Sequence, residues 1–302
     1  MAKMCEGRIC IVTGAGRGIG REHARMLAEQ GAKLVLNDTG GHTDGTGSDE
    51  SVVQAVADEI VAGGGEAVVN TDSASSWEGA QRLVNQAVET YGDLHVVINN
   101  AGILRDRVLV NMTEDEWDGV IDVHLKGTFA PARWAAAYWR EQSKAGAQLD
   151  NRIINTSSAS GLYGNPGQTN YGAAKAGIAA FTQIASRELG RYGVTVNAIA
   201  PGAWTRMTEG LPGMADMSDK AKAAMNPRWI SPVVVWLAST QSKGVTGRVF
   251  QTSGSELSVV ECWHVGPSAE APADAPDVDA VVRPLLEAAR PNAGMNGKDR
   301  DW

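Results

Sequence analysis

RICIVTGAGRGIG at residues 8–20 joins a short apolar run to a glycine-rich turn, and a helical pattern follows directly over residues 21–30. The apolar run predicts a buried strand. Strand, glycine turn and helix in this order bring bare backbone N–H groups and the positive end of a helix to one place. A pyrophosphate binds such a place well, so this context predicts dinucleotide binding.

A second apolar run, KLVLN at residues 33–37, predicts the next strand, and Asp38 follows it. A carboxylate there can accept hydrogen bonds from both adenosine ribose hydroxyls and would repel a 2′-phosphate, which favours NAD over NADP. Arg17 inside the glycine turn favours the opposite choice, although its charge could equally meet the pyrophosphate or solvent. We therefore weight Asp38 more heavily. The Gly-, Asp- and Thr-rich residues 39–48 predict a flexible surface loop.

Tyr171 and Lys175 lie four residues apart in a stretch of small residues, NYGAAK. On a helix they share one face, so a phenol and an ammonium would be neighbours. Lowering the pKa of a tyrosine by about 3 units needs roughly 4 kcal/mol, which a nearby cation in a dry site could supply. Ser158 ends an apolar run that predicts a buried strand, and its hydroxyl could hold a substrate oxygen.

Five features occur together and in order: TGAGRGIG at 13–20, NNAG at 99–102, Ser158, Tyr171 with Lys175, and the Pro201-Gly202 pair. This set resembles the short-chain dehydrogenase/reductase family over about residues 5 to 255. The resemblance implies an α/β fold of the Rossmann type, a doubly wound parallel sheet of about seven strands in three α/β/α layers, as a single domain. It also implies proton exchange at Tyr171 and hydride exchange with a nicotinamide.

The resemblance implies roles for individual residues. Asp72 would hold the adenine amino group, residues 99–102 would pack beside the cofactor ribose, and the chain after Pro201 would fold over the nicotinamide. The expected catalytic residues are Ser158, Tyr171, Lys175 and His124. The expected cofactor contacts are Gly14, Arg17, Gly18, Ile19, Gly20, Asp38, Asp72, Ser73, Asn99, Ala101, Gly102, Tyr171, Lys175, Pro201, Gly202 and Thr205.

His124 lies in an amphipathic helical pattern over residues 117–129, where the resemblance implies that most relatives carry asparagine. In those relatives the backbone carbonyl at this position holds a water that connects the catalytic lysine to solvent. Two interpretations of His124 therefore remain: a member of this relay, or a packed histidine with a structural hydrogen bond.

The 302 residues are 43% hydrophobic, enough for one large α/β core, and the net charge of −8 argues against nucleic acid as a partner. Three cysteines without metal-ligand spacing fit a reducing compartment and predict no metal site. No segment reads as a signal peptide or membrane span, so the cytoplasm is the expected location. The resemblance implies a homo-oligomer, a dimer or a tetramer.

The expected Rossmann domain covers residues 1–258. Within it, residues 203–228 carry three methionines and several glycines, which is typical of a mobile lid over an apolar substrate or of an ordinary long loop. Residues 259–302 are expected to be a partly disordered extension with one helix around residues 278–290 and no assignable chemistry.

Several less common features occur at Asn37-Asp38, residues 102–107, residues 123–125 and residues 161–165. They resemble the (3R)-hydroxyacyl-CoA dehydrogenase domain of type 2 peroxisomal multifunctional enzymes. The implied reaction is NAD-dependent oxidation of a (3R)-hydroxyacyl-CoA to the 3-oxoacyl-CoA. The alternatives are a 3-oxoacyl thioester reductase, a hydroxysteroid dehydrogenase, or an inactive cofactor-binding homologue. The last would usually have lost Tyr171 or Lys175. The expected substrate is an acyl-CoA or another small apolar alcohol or ketone.

Overall fold

The computed structural model describes residues 3–210, 214, 216–261, 263–271 and 278–299. Its centre is an eight-stranded sheet with the order β3-β2-β1-β4-β5-β6-β7-β8, in which β8 alone runs antiparallel to its neighbour. The strands are β1 (Ile9–Thr13), β2 (Lys33–Asn37), β3 (Glu66–Asn70), β4 (Val96–Asn99), β5 (Asn151–Thr156), β6 (Val194–Gly202), β7 (Val249–Ser253) and β8 (Glu256–Val260).

Ten α-helices among the described residues cover the sheet. They are α1 (Gly18–Glu29), α2 (Ser51–Ala62), α3 (Trp77–Tyr91), α4 (Glu114–Ile121), α5 (Gly127–Lys144), α6 (Ala159–Tyr163), α7 (Thr169–Leu189), α8 (Asp219–Ala224), α9 (Ser231–Ala238) and α10 (Val278–Ala288). None of the described helices is long and apolar enough to cross a membrane.

Two hydrophobic cores lie on the two faces of the sheet. Along β1, Cys10 and Val12 belong to one core and Ile9 and Ile11 to the other, because successive side chains of a strand point to opposite faces. Helices α1, α2 and α9 complete the first core, and α3, α5 and α7 complete the second. Strands covered on both faces read as continuous apolar runs, which explains why β1, β4 and β5 were recognisable in the sequence.

The order of the strands reverses at β1, because β2 lies on one side of it and β4 on the other. In doubly wound sheets the crevice at such a reversal, outside the carboxyl ends of the strands, is where ligands bind. The predicted three-layer Rossmann architecture is confirmed, and the topology places the glycine turn after β1 directly at this crevice.

The sheet has one strand more than the seven expected. β7 and β8 form a hairpin whose two connecting residues begin with Gly254 at φ +54°, the backbone that such a tight turn requires. Four of the five residues of β8 are exposed, so the strand lacks the apolar run that revealed the others. The expected domain boundary at residue 258 falls inside this strand.

The first testable consequence concerns Gly20 in α1. A Cβ atom there would overlap the carbonyl oxygen of Gly14 and the side-chain amide of Asn100. We expect Gly20→Ala to lower the free energy of unfolding by about 1–3 kcal/mol, as for other overpacked sites. Chemical unfolding measures this, with Gly190→Ala as the control because Gly190 has helical backbone angles and open space around it. Equal stability of the two variants would contradict the proposed close packing.

Candidate active site

A cavity of about 930 Å³ opens at the carboxyl ends of the strands. Its wall is built from the segments that follow β1 to β6, together with parts of the chain that are distant in sequence. The glycine turn, the NNAG segment, Ser158, the Tyr171 and Lys175 pair and the Pro201-Gly202 pair all contribute to it. The motifs that were separate in the sequence therefore form one site.

The glycine turn is fixed against the end of β4. Gly14 has φ +66°, and a Cβ atom on it would lie 2.8 Å from the Cα of Ala101. The side-chain amide of Asn100 donates to the carbonyl oxygens of Thr13 at 3.1 Å and Gly14 at 3.2 Å. The Thr13 hydroxyl accepts the backbone N–H groups of Asn100 and Ala101. Thr13 and Asn100 were not named among the predicted catalytic or cofactor-contact residues, although each lies inside a motif that was recognised.

Asp38 also supports the glycine turn. Its Oδ2 accepts the N–H of Gly16 at 2.8 Å, and its Oδ1 accepts the N–H of Gly40 at 2.7 Å. Each carboxylate oxygen has more than one acceptor site, so both can still accept a hydroxyl from a ligand. Asp38 lines the cavity, which is the position that the sequence predicted.

Two of the predicted cofactor contacts are not brought to the cavity. Asp72 forms an ion pair with Arg82 on α3 and accepts a hydrogen bond from Asn70. Asn99 is buried in the sheet, and its side-chain amide donates to Asn155. Neither side chain lines the cavity, whereas the remaining predicted contacts do: Gly14, Arg17, Gly18, Ile19, Gly20, Asp38, Ser73, Ala101, Gly102, Tyr171, Lys175, Pro201, Gly202 and Thr205.

Ser158, Tyr171 and Lys175 converge at the base of the cavity. Ser158 caps the N-terminus of α6, and its hydroxyl also hydrogen-bonds the phenol of Tyr171. Tyr171 and Lys175 lie one turn apart on α7, with the ammonium nitrogen 5.5 Å from the centre of the phenol ring. Lys175 is buried, and its Nζ donates to the carbonyl oxygen of Thr156 at 2.6 Å.

Burial dominates the electrostatics of this pair. It raises the pKa of Tyr171 to about 12, helped by Asp106 and opposed by the hydrogen bond from Ser158. It lowers the pKa of Lys175 to about 7, because a charged ammonium loses its hydration there. The expectation that Lys175 lowers the pKa of Tyr171 is therefore not met, because the loss of hydration is the larger effect.

The family model described as short chain dehydrogenase matches residues 8–212. The chain belongs to the short-chain dehydrogenase/reductase family. This confirms the expectation from the five motifs, and the chain is an oxidoreductase that uses a nicotinamide dinucleotide.

Three similar proteins refine the comparison. Hydroxyacyl-CoA dehydrogenase ChsB1 of Mycobacterium tuberculosis is 42% identical over 262 residues, which are 86% of this chain and 81% of that protein. Peroxisomal multifunctional enzyme type 2 of Drosophila melanogaster is 43% identical over 232 residues, 77% of this chain but 36% of that enzyme. The crystal structure of a short chain dehydrogenase from Mycobacterium avium has a TM-score of 0.86 and 49% identity, with 96% and 98% of the two chains covered. The narrower resemblance to hydroxyacyl-CoA dehydrogenases is thereby confirmed.

His124 lies within a π-helical turn, Asp122–Lys126, between α4 and α5. The predicted single helix is thus interrupted: the N–H of Gly127 reaches back five residues to the carbonyl of Asp122. A π turn inside an α-helix is frequent at functional sites. The same N–H of Gly127 also bonds the carbonyl of His124, the group to which the relay interpretation assigns a water.

The imidazole of His124 is buried, and its edge faces the ring of Tyr171 with centroids 5.1 Å apart. Its Nε2 lies 2.7 Å from the carbonyl oxygen of Ile103 and 3.1 Å from the amide nitrogen of the same residue. We assign the proton to Nε2 because the carbonyl contact is shorter. Nδ1 then accepts, and it has no partner among the described residues. The structural hydrogen bond of the second interpretation is therefore present as well.

Burial, together with the charge of Lys175, lowers the pKa of His124 well below its usual value, against the opposing effect of its hydrogen bond to Ile103. The imidazole is neutral near pH 7. Gly102 lies so close to Cε1 of this ring that any side chain at position 102 would collide with it. The NNAG segment therefore contacts the glycine turn on one side and the ring of His124 on the other.

The loop of residues 39–48, expected to be a flexible surface loop, forms part of the cavity wall. Backbone N–H of Leu104 donates to the carbonyl of Thr43 at 2.9 Å, and Nε of Arg105 donates to the carbonyl of Asp44 at 2.8 Å. These bonds tie the tip of the loop to the segment after β4. A composition-based reading could not reveal them, because the partners lie about sixty residues away.

Apolar side chains from two segments that are distant in sequence also line the cavity. Met207 and Met214 belong to the expected lid region, of which residues 211–213 and 215 lie outside the described part. Met295 comes from the C-terminal extension, to which no chemistry was assigned. Its turn is closed by hydrogen bonds between Gly294 and both Gly297 and Lys298.

The turn that carries Met295 packs beside α6. A Cβ atom on Gly297 would lie 3.1 Å from the hydroxyl of Tyr163, and that hydroxyl donates to Gln251 on β7 at 2.8 Å. The Asn296-Gly297 pair is a turn signal in the sequence. Nothing local in the sequence indicates which surface the turn contacts.

The structure makes a specific prediction for His124→Asn. A neutral amide can replace the neutral imidazole as a donor to the Ile103 carbonyl, so we expect most of kcat to be retained. Because the pKa of His124 already lies well below 6.5, the pH–rate profile should lose no inflection near neutrality. The profiles of kcat for wild type and variant check this. A loss of about 10²-fold, the size of a lost proton-transfer group, together with a missing inflection, would show that the imidazole itself carries protons.

Proposed function

We propose that this protein oxidises (3R)-hydroxyacyl-CoA thioesters to 3-oxoacyl-CoA with NAD. The observation that carries the proposal is the convergence of Ser158, Tyr171 and Lys175 in one cavity with the glycine turn. Similarity to a protein named as a hydroxyacyl-CoA dehydrogenase supports the choice of substrate.

The proton chemistry follows from the three side chains. The Ser158 hydroxyl, already bonded to the phenol, is placed to bind the substrate oxygen beside Tyr171. Tyr171 accepts the hydroxyl proton in its phenolate form, as the carbonyl of the product forms. An oxidised nicotinamide bound in the cavity would accept the hydride from the substrate carbon that carries the hydroxyl group. It would also add a positive charge to the cleft.

Lys175 assists this proton transfer. With its pKa lowered to about 7, the amine can both give and take a proton near neutral pH. Its protonated form favours the phenolate of Tyr171, which partly offsets the burial that raises the phenol pKa. The bond to the Thr156 carbonyl keeps Nζ oriented while its charge changes.

Asp38 supports NAD as the cofactor. Its carboxylate lines the cavity beside the glycine turn, and its two oxygens are held by the N–H groups of Gly16 and Gly40. Two backbone N–H donors do not cancel the charge of the carboxylate. A 2′-phosphate placed against it would be repelled, whereas ribose hydroxyls could donate to it.

The acyl chain is assigned to the methionine-lined part of the cavity. Unbranched, flexible Met207, Met214 and Met295 side chains can adapt to apolar chains of different shapes. We propose that residues 203–228 act as the lid over this part, as their composition predicted.

Tyr171→Phe tests the proton acceptor. The variant keeps the ring that contacts His124 but lacks the hydroxyl, so we expect oxidation to fall by at least about 10²-fold. Binding of NADH should change little, because the phenol oxygen is not needed to hold the dinucleotide. Steady-state kinetics and fluorescence titration with NADH measure the two quantities. Near wild-type turnover would refute the mechanism.

Met295→Ser tests the acyl assignment. Removing an apolar side chain from the wall should lower kcat/KM for (3R)-hydroxydecanoyl-CoA by about three- to tenfold, since partial burial of a methionine contributes on the order of 1 kcal/mol. The value for (3R)-hydroxybutyryl-CoA and the KM for NAD should stay unchanged. Met295→Leu is the matched control and should retain the long-chain activity. An equal loss for both substrates would contradict a role in chain recognition.

The decisive assay of the proposed function uses purified protein with (3R)- and (3S)-hydroxyacyl-CoA and with NAD and NADP. We expect activity with the (3R) thioesters and NAD. Turnover confined to 3-oxoacyl thioester reduction with NADPH would replace the proposal by the reductase alternative.

A further inference from the structure

Arg17 and Asp38 favour opposite cofactors, and the structure shows how the conflict is resolved. An arginine near the glycine turn can accommodate the 2′-phosphate of NADP, whereas a carboxylate after β2 repels it. Both side chains line the cavity. The question is therefore whether the guanidinium of Arg17 is available to a phosphate.

The guanidinium is bound to the loop of residues 39–48. Its Nη1 donates to the carbonyl oxygens of Gly40 at 3.2 Å and Gly41 at 3.0 Å. Asp38 holds the same stretch from its other side, through the N–H of Gly40. One short backbone segment is thus fixed by an anion and by a cation.

The neck of the loop keeps these carbonyls in place. The N–H of Asp49 donates to the carbonyl of Thr39 at 3.1 Å, which closes the loop. Gly40 has φ +72°, and any side chain on it would collide with the carbonyl of Asp49. Only glycine fits this crossing, so the position of the carbonyls that bind Arg17 is set by the backbone.

The tip of the loop is fixed independently, by the bonds from Leu104 and Arg105 to the carbonyls of Thr43 and Asp44. Gly45 packs against Ile103, with 3.1 Å between its Cβ position and Cδ1 of that side chain. The loop is therefore held at its neck by the glycine turn and at its tip by the segment that follows β4. For Nη1 of Arg17 to meet a 2′-phosphate, it must exchange two hydrogen bonds to an anchored loop.

We propose that the 39–48 loop sequesters Arg17 and so makes it a positioning residue for the loop instead of a ligand for a 2′-phosphate. This rests on the proposed use of NAD and adds a second determinant to Asp38. Removing Asp38 then abolishes the repulsion of the phosphate and two backbone hydrogen bonds, but leaves Arg17 bound to the loop carbonyls. Recruiting Arg17 requires that the loop release it.

The test is a cycle of variants read by direct binding of NADH and NADPH, through the fluorescence of the reduced nicotinamide. The backgrounds are Asp38→Ser with the complete loop and Asp38→Ser with residues 41–47 replaced by two glycines. Arg17→Met is added to each. Gly40→Val is a second way to displace the loop if the shortened chain does not fold, and circular dichroism confirms that each variant is folded.

With the complete loop, we expect Arg17→Met to change NADPH affinity by less than about threefold. With the loop shortened or displaced, NADPH should bind about ten- to a hundredfold more tightly than to Asp38→Ser alone, as expected for new charge-assisted hydrogen bonds. Arg17→Met should then abolish that gain.

Equal losses on Arg17→Met in both backgrounds would overturn the proposal, since Arg17 would reach the phosphate with the loop in place. No gain in NADPH affinity on loop release would overturn it as well. The readout is binding, so failure of the wild type to oxidise hydroxyacyl-CoA would count against the proposed reaction alone. A wild type that bound neither dinucleotide would overturn both the cofactor assignment and the role of Arg17.

Discussion

The contact between the glycine turn and the end of β4 is the constraint on which the site depends. Gly14 packs on the backbone of Ala101, and the Asn100 amide bridges the Thr13 and Gly14 carbonyls. The next residue, Gly102, lies against the ring of His124, whose edge meets Tyr171. Three consecutive residues, 100–102, thus connect the glycine turn to His124 and Tyr171. Glycine at both contacts is a steric requirement, because each approach leaves no space for a Cβ atom.

Local patterns in the sequence predicted what depends on local physics. Buried parallel strands, the glycine turn and the shared face of Tyr171 and Lys175 each follow from periodicity or spacing within a few residues. The Ser158 position followed from the family resemblance and from the end of an apolar run. The glycine turn, Ser158 and the Tyr171 and Lys175 pair were also predicted by the family resemblance, which rests on five separate motifs.

The features that were not predicted depend on distant partners. The direction of the Arg17 side chain is set by carbonyls more than twenty residues away, and the place of Met295 is set by packing beside Tyr163. Asp72 matches the family position, yet Arg82 on the following helix takes its carboxylate. β8 was not predicted from the sequence, because it is exposed and has no apolar run. In each case the residue type was visible, but its partner was not.

The pKa values of the site residues could not be predicted from spacing alone either. From spacing alone, a lysine one turn from a tyrosine predicts a lowered phenol pKa. In the folded protein the loss of hydration is the larger effect, and it moves the pKa values of Tyr171 and Lys175 in the directions that favour their neutral forms. The same burial keeps His124 neutral, and a charged imidazole beside Lys175 would be less favourable still. A neutral donor to the Ile103 carbonyl is therefore what this position requires. Histidine meets that requirement, and the amide of an asparagine would meet it as well.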